Sequence, residues 1–242
     1  RWIDERVSHE LYNVGHMYEA AVAHHLATGS DTFLNVALKN AGLIASEFGW
    51  GLREIAPGHQ EIEIGLIKLY EVTGNRQWLD LAKFFIDVRG KQEEYVRHPA
   101  GSRFEVYNDS VYLQMHLPVL EQTEAVGHAV RGAYMYTAMA DVSRATGDNS
   151  YLQASEKIWN DVTRGKIYIT GGIGSKEYGE AFGEAFELPN MTAYTETCAS
   201  VANVFWNHRL YTATGEARYL DVLERTLYNG LISGIGQDGC SF

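Results

Sequence analysis

The stretch from Lys166 to Ala199 carries more chemically reactive side chains than any other part of this sequence. It opens with a short β-like run at 167–170, breaks at two glycines and continues as an irregular segment. Its reactive residues are Glu177, Glu180, Glu184, Glu187, Glu196 and Cys198. Carboxyl groups transfer protons, and a thiolate acts as a nucleophile or a metal ligand. The stretch therefore predicts a catalytic or metal-binding site.

Glu196 and Cys198 lie two residues apart, at the predicted start of a helix. Within a regular helix that spacing would place the two side chains on different sides. They can converge if Thr197 caps the helix, because Glu196 is then still extended and Cys198 enters the first turn. The dipole and free N–H groups of that turn would stabilise a thiolate. Zinc accepts both donors but usually takes three or four protein ligands, so a buried structural cysteine beside a capping glutamate is the alternative.

Glu180 is the candidate general acid among the loop carboxylates. It lies between Gly179 and the apolar pair Ala181-Phe182, where partial desolvation would favour the protonated form that an acid catalyst needs. The alternative is a solvated loop glutamate, and the three neighbouring loop glutamates compete for the same role.

Three histidines share a position close to the start of a predicted helix, and these are His9, His59 and His128. Taken singly, each is more often a core or capping residue than a ligand-binding one. Glu196 and Cys198 occupy the same position on a fourth helix, so the pattern indicates that four helix starts converge on one active-site floor. Histidines on such a floor bind hydroxyl groups or the ring oxygen of a sugar. The other six histidines lack this placement and are predicted to be structural or surface groups.

The elements that would bring these helix starts together form a repeat. Each of four predicted helices ends at a Thr-Gly pair, and an aromatic-Leu pair follows at an identical spacing. The four turns are Thr28-Gly29, Thr73-Gly74, Thr146-Gly147 and Thr214-Gly215. Glycine suits this place because the residue after a helix end adopts a left-handed backbone. The repeat predicts an all-α fold of about four αα-hairpins, with loops inserted at 91–118 and 167–192.

Hairpins whose equivalent ends meet around one axis form a toroid. Because a closed α/α barrel commonly has six hairpins, we expect residues 1–242 to form one partial domain, an incomplete portion of an (α/α)6 barrel. An open helical-repeat solenoid is the structural alternative.

The composition narrows the classes of function. A net charge of −11 argues against a nucleic-acid or anionic-membrane partner, since both attract clustered Lys and Arg. No apolar run has the length of a membrane span. An aromatic content of 12% fits a carbohydrate-binding cleft, although a packed helical core is the commoner cause. Two cysteines do not make a disulfide framework.

Six sequence blocks resemble glycoside hydrolase family 127, the β-L-arabinofuranosidase family, and together they cover nearly the whole chain. In order they are 8–12 (SHELY), 57–61 (PGHQE), 124–131 (EAVGHAVR), 170–174 (TGGIG), 179–182 (GEAF) and 196–200 (ETCAS).

The resemblance implies a catalytic (α/α)6 barrel and a retaining hydrolysis of L-arabinofuranosides, with a plant-type arabinose-containing glycan as the carbohydrate partner. In this family a zinc-bound cysteine thiolate is the nucleophile, and the zinc ligands are one glutamate and three cysteines. Glu196 and Cys198 match two of these metal positions, and Glu180 matches the general acid/base. The positions that match sugar-contacting residues are His9, His59 and His128.

One feature of the family is missing from this sequence. The family's nucleophile and its neighbouring ligand form a Cys-Cys pair downstream of the Glu-x-Cys motif, and no such pair occurs here. Cys240 stands singly in a segment that resembles one upstream of the pair, so it is not assigned as the nucleophile. We therefore expect residues 1–242 to be part of a catalytic domain, inactive by itself and lacking two zinc ligands.

Several alternatives stay open at this point. An epimerase or an unsaturated uronyl hydrolase on the same toroid would use His or Asp and no zinc, and an inactive glycan-binding scaffold would use neither. Members of the resembled family also cleave other pentose or deoxy-sugar linkages. The compartment, bacterial cytoplasm or periplasm, and a homodimeric state are open as well.

Overall fold

The computed structural model describes residues 1–91 and 97–241, and helices dominate this part of the chain. The α-helices are α1 (Glu10–Thr28), α2 (Thr32–Glu47), α3 (Ile62–Thr73), α4 (Arg76–Asp87), α5 (Ala129–Thr146), α6 (Asn149–Gly165), α7 (Thr197–Thr214) and α8 (Ala217–Arg225). They follow one another as four hairpins, which confirms the predicted all-α architecture. The prediction of a β-like run at 167–170 is wrong, since these residues contribute only one isolated bridge, between Ile167 and Ile173.

All four Thr-Gly pairs end a helix as the repeat predicts. The glycines have φ between 66° and 76°, in the left-handed region, and each N–H donates to the carbonyl four residues earlier. Each threonine hydroxyl also donates to the carbonyl four residues before it and accepts from the N–H two residues after it. The Thr-Gly pair therefore satisfies backbone groups on both sides of the turn, which explains its recurrence.

The hairpins build two layers. Helices α1, α3, α5 and α7 pack against one another in sequence as an inner layer, and α2, α4, α6 and α8 each cover their hairpin partner. Helix α5 lies in the middle of the inner layer and is buried along nearly its whole length. The four inner helices run in the same direction, so their starts lie at one end of the domain.

The inner helices α1 and α3 approach closely at two glycines. A Cβ atom on Gly65 would lie 2.5 Å from the carbonyl oxygen of Gly15, and one on Gly15 would lie 2.7 Å from the side chain of Glu61. Both positions therefore require glycine for packing, although glycine weakens a helix interior.

Both predicted insertions lie at the end of the domain where the inner helices start. The buried Gln114 fixes the first of them, of which residues 92–96 lie outside the described residues. Its amide nitrogen lies within hydrogen-bond distance of the carbonyl oxygens of Tyr112, Val126 and His128, and its Oε1 accepts from Gln60 at 3.1 Å. One side chain thus joins the segments that precede α3 and α5.

None of the described helices is both long and apolar enough to cross a membrane.

Gly65→Ala is expected to lower the free energy of unfolding by about 1–3 kcal/mol, because the new methyl group overlaps the backbone of α1. The matched control is Gly42→Ala in α2, where a Cβ would have no atom within 4 Å. Helix propensity alone predicts that the control gains up to about 1 kcal/mol. Urea denaturation followed by circular dichroism measures both, and a gain at both sites would contradict the close α1–α3 contact.

Candidate active site

The starts of the inner helices meet in a cluster of aromatic rings, here named the histidine floor, which contains His9, His59 and His128 together with Tyr12 and Tyr134. The ring centroids of His9 and His59 are 5.5 Å apart, and those of His59 and His128 are 5.7 Å apart. The ring centroid of Tyr12 lies 4.4 Å from that of His59 and 6.2 Å from that of Tyr134. The structure therefore brings the three predicted histidines side by side.

The hydrogen bonds of these rings indicate their tautomers. Nδ1 of His59 lies 2.9 Å from the carbonyl oxygen of Gln60, and Nδ1 of His9 lies 3.2 Å from that of Val7. Because a carbonyl only accepts, Nδ1 carries the proton in both rings and Nε2 is left as an acceptor. His128 has the opposite tautomer, since its Nδ1 accepts from the backbone N–H groups of α5 and its Nε2–H is free to donate.

The carboxyl group of Glu180 accepts the hydrogen bond from Nε2–H of His128. Its Oε2 lies 2.8 Å from Nε2 of His128, and its Oε1 accepts from the hydroxyl of Tyr194 at 2.7 Å. The hydrogen bond to Glu180 raises the pKa of Tyr194. With 41% of its side chain exposed, Glu180 is open to solvent between these two partners. Its competitor Glu187 instead pairs with Lys176 on the loop surface, 3.2 Å away.

The loop holds Glu180 in place through backbone contacts. Lys176 and Ala181 exchange hydrogen bonds, and the N–H of Phe182 donates to the carbonyl of Gly127, next to His128. Between these contacts, Gly179 and Glu180 both have left-handed backbones, with φ of 72° and 50°. A non-glycine residue with this backbone is strained, and such strain is typical of functional loops.

Glu196 and Cys198 converge at the start of α7. Glu196 is the N-cap residue with an extended ψ of 140°, and Thr197 is the first helical residue, so the cap lies one residue earlier than predicted. The two side chains lie close together, because the Glu196 carboxyl is near enough to the Cys198 thiol to raise its pKa. Such proximity is required if the two are to share a metal ion.

The expectation of a stabilised Cys198 thiolate is wrong for the chain by itself. The pKa of Cys198 is raised to about 11, first by partial burial and then by the hydrogen bond and negative charge of Glu196. These effects outweigh the helix N–H groups, although the residue is partly exposed. Burial and the charge of Glu180 also raise the pKa of Glu196.

Glu196 and Cys198 fit zinc in kind but not in number. Oε2 of Glu196 is buried without a hydrogen-bond partner, which leaves it available as a ligand. Oxygen and sulfur are both common zinc donors, yet a stable site needs at least three protein ligands. Among the described residues, three metal-type donors come together elsewhere, at His16, Glu19 and Glu61.

A buried cation, Arg131, lies behind the histidine floor. Its guanidinium donates to the carbonyl of Gly58 and lies 5.3 Å from the ring centroids of Tyr107 and Tyr112. No carboxylate forms an ion pair with it within the described ranges. Burial first and the Arg131 charge second lower the pKa of all three histidines, that of His128 to about 3.

Comparison with known families identifies the family of the chain. The family model for the β-L-arabinofuranosidase GH127 catalytic domain matches residues 1–242. The chain belongs to glycoside hydrolase family 127.

Similar proteins agree with this assignment. The chain is 40% identical to the non-reducing end β-L-arabinofuranosidase of Bifidobacterium longum, over 96% of the chain and 37% of that protein. It matches a solved GH127 β-arabinofuranosidase with 52% identity and a TM-score of 0.91 over the whole chain and 36% of that structure. The GH127 β-L-arabinofuranosidase Ara127N of Geobacillus stearothermophilus T6 matches with 48% identity and a TM-score of 0.93, over the whole chain and 39% of that structure. The chain thus spans little more than a third of the length of these relatives.

Three tyrosines contribute to the site although none of them was predicted from the sequence. Tyr12 and Tyr134 complete the histidine floor, and Tyr194 binds Glu180. The signal for Tyr12 was its position three residues after His9, on the same face of α1. No spacing rule indicated Tyr194, because a loop places it.

Arg131→Gln is expected to raise the pKa values of His59 and His128, because it removes a buried positive charge that favours their neutral forms. A pH titration of the histidine Cε1 protons by NMR measures this change. Arg76→Gln is the control, since Arg76 is exposed on α4 and pairs with Asp80. Unchanged histidine titrations in the Arg131 variant would show that burial alone sets these pKa values.

Proposed function

We propose that this chain forms part of the catalytic site of a retaining β-L-arabinofuranosidase, with Glu180 as the general acid/base. The observation that carries the proposal is the position of the Glu180 carboxyl, 2.8 Å from His128 Nε2 and open to solvent at the edge of the histidine floor. A carboxyl group with both oxygens oriented and one side accessible can meet a glycosidic oxygen. The relatives are β-L-arabinofuranosidases, one of them acting at a non-reducing end, which supports β-L-arabinofuranose as the sugar.

Glu180 would act twice in this reaction. It first gives its proton to the leaving oxygen as the bond to the sugar breaks, and the resulting carboxylate then takes a proton from the water that releases the sugar. The Nε2–H of His128 and the hydroxyl of Tyr194 both donate to Glu180. They fix the orientation of the carboxyl group and so the direction from which the proton is delivered.

His9 and His59 would bind the sugar hydroxyl groups. In both rings Nδ1–H is used by a backbone carbonyl, so Nε2 accepts a hydrogen bond from a hydroxyl. The nearby Arg131 keeps them neutral, and a neutral ring retains that acceptor. Hydrogen-bonded recognition of hydroxyl groups discriminates strongly against sugars that lack them.

Glu196 and Cys198 would hold zinc together with two cysteines outside this sequence, one of them the nucleophile. When bound, zinc would keep its thiolate ligands deprotonated at neutral pH. Because the pKa of Cys198 is raised in the chain by itself, zinc would have to displace its proton on binding.

Glu180→Gln is expected to lower kcat on an alkyl β-L-arabinofuranoside by about 10²–10⁴-fold, because glutamine cannot transfer the proton. The protein at its native length is assayed with this poor leaving group, since a good one needs less acid assistance. Glu177→Gln is the matched control on the exposed part of the same loop. Full activity of the Glu180 variant would exclude the acid/base role.

Cys198→Ser is expected to abolish near-stoichiometric zinc binding by the protein at its native length, because the ligand set loses a thiolate. Cys240→Ser is the control, since Cys240 is a free, exposed cysteine remote from Glu196 in sequence. Metal analysis by mass spectrometry after dialysis measures both. Near-stoichiometric zinc in both variants would refute the assignment of Cys198, whereas absence of zinc from the unmodified protein would favour an enzyme that needs no zinc.

A further inference from the structure

A second group of metal-type donors, here named the His16 cluster, consists of His16, Glu19 and Glu61. His16 and Glu19 lie one turn apart on α1, and Glu61 is the N-cap residue of α3. One donor atom of each residue lies within 4.8 Å of the other two. Tyr12, a member of the histidine floor, lies between the cluster and the floor histidines, with its ring centroid 4.6 Å from that of His16 and 4.4 Å from that of His59.

Glu61 shows that the cluster lacks a partner. The residue is fully buried, and neither of its carboxylate oxygens has a well-aligned hydrogen bond, although the neighbouring Glu19 carboxyl is close enough to share a proton with it. Nδ1 of His16 lies 3.2 Å from its Oε1 without forming one. Because a buried carboxylate without donors is costly, a proton or a bound cation must stabilise this site.

Glu19 has one oxygen fixed and one directed at the cluster. Its Oε1 lies 2.6 Å from the ammonium of Lys68, while its Oε2 faces Nδ1 of His16 at 3.7 Å. A ligand whose second oxygen is held from outside is the usual arrangement around a protein metal site. Lys68 is also the nearest positive side chain, so an ion would bind in competition with its charge.

We propose that His16, Glu19 and Glu61 form a binding site for one divalent transition-metal ion. An imidazole nitrogen and two carboxylate oxygens suit zinc or manganese, with the remaining positions taken by water. The side chain of His16 is 40% exposed, and a cavity of about 400 Å³ lined by Glu19 and Lys68 opens beside it, which provides a path for entry.

Such an ion would join two inner helices at a sensitive place. It would connect α1 to the start of α3, where Gly15 and Gly65 bring the two backbones together. It would also fix the ring of His16, on which Tyr12 packs edge-on beneath His59. The site is distinct from the Glu196–Cys198 pair and contains no sulfur donor.

The opposing arrangement is a proton in place of the ion. Burial and then the Glu19 charge raise the pKa of Glu61 to about 11, so the metal-free carboxyl keeps its proton. Binding a cation must release that proton, and the affinity must therefore rise with pH.

The experiment titrates the Cys198→Ser protein with Mn²⁺, followed by electron paramagnetic resonance. The serine variant removes the thiolate of the proposed zinc site, so failure of that proposal leaves this test unaffected. We expect one Mn²⁺ per chain, with affinity lowered at least about tenfold by His16→Gln, Glu19→Gln or Glu61→Gln. The control is His24→Gln, because His24 is exposed on the same helix.

Two results would overturn the proposal: no Mn²⁺ bound, or binding that none of the three variants weakens. Circular dichroism verifies that each variant folds. If Glu61→Gln does not fold, the other two variants decide, because both of their side chains are partly exposed.

Discussion

The structure depends on how its inner helices end. Each Thr-Gly turn reverses the chain, so the next helix returns along the outer layer and the following inner helix starts again at the same end. Four helix starts, with their free N–H groups and positive dipole ends, are thereby collected in one region. The inserted segments lie at this end because the opposite end is closed by short turns that leave no room for a loop. Chemistry at one end is therefore a result of the repeat, before any catalytic side chain is considered.

The site that forms there has two electrostatic halves. On one side, burial and the charge of Arg131, which lies among tyrosine rings, lower the pKa of the three histidines. On the other, burial and the charge of Glu180 raise the pKa of Glu196, and burial and Glu196 raise that of Cys198. The hydrogen bond from His128 to Glu180 joins the two halves. A neutral donor at this junction orients the carboxylate without adding a fixed charge to it, so Glu180 remains free to change its protonation state.

The sequence was informative where local rules act and silent where tertiary contacts decide. The Thr-Gly turns and the shared placement of His9, His59 and His128 are short-range patterns, and the structure contains both. The extended backbone of Glu196 was also predictable from the geometry of a helix start. Tyr194 and the tautomer of His128 depend on contacts between segments far apart in sequence, so no periodicity reveals them. Cys198 shows the limit most clearly. The backbone N–H groups at the helix start lower the pKa of its thiol, but partial burial and the neighbouring Glu196 raise it by more. The roles of these residues in binding sugar and zinc stay predictions.

The left-handed backbone of Glu180 is strained, and this strain lowers the free energy of unfolding. Each residue held in such a conformation costs on the order of 1–3 kcal/mol. The hydrogen bonds between Lys176 and Ala181 and from Phe182 to Gly127 offset that cost when the protein folds. Thr195, with φ of 38°, is held in the same way by its bond to Gly174. The carboxyl and its tyrosine partner are therefore already preorganised before a ligand arrives, and binding need not freeze a mobile arm. The orientation of the Glu180 carboxyl is therefore set when the protein folds and not when a ligand binds.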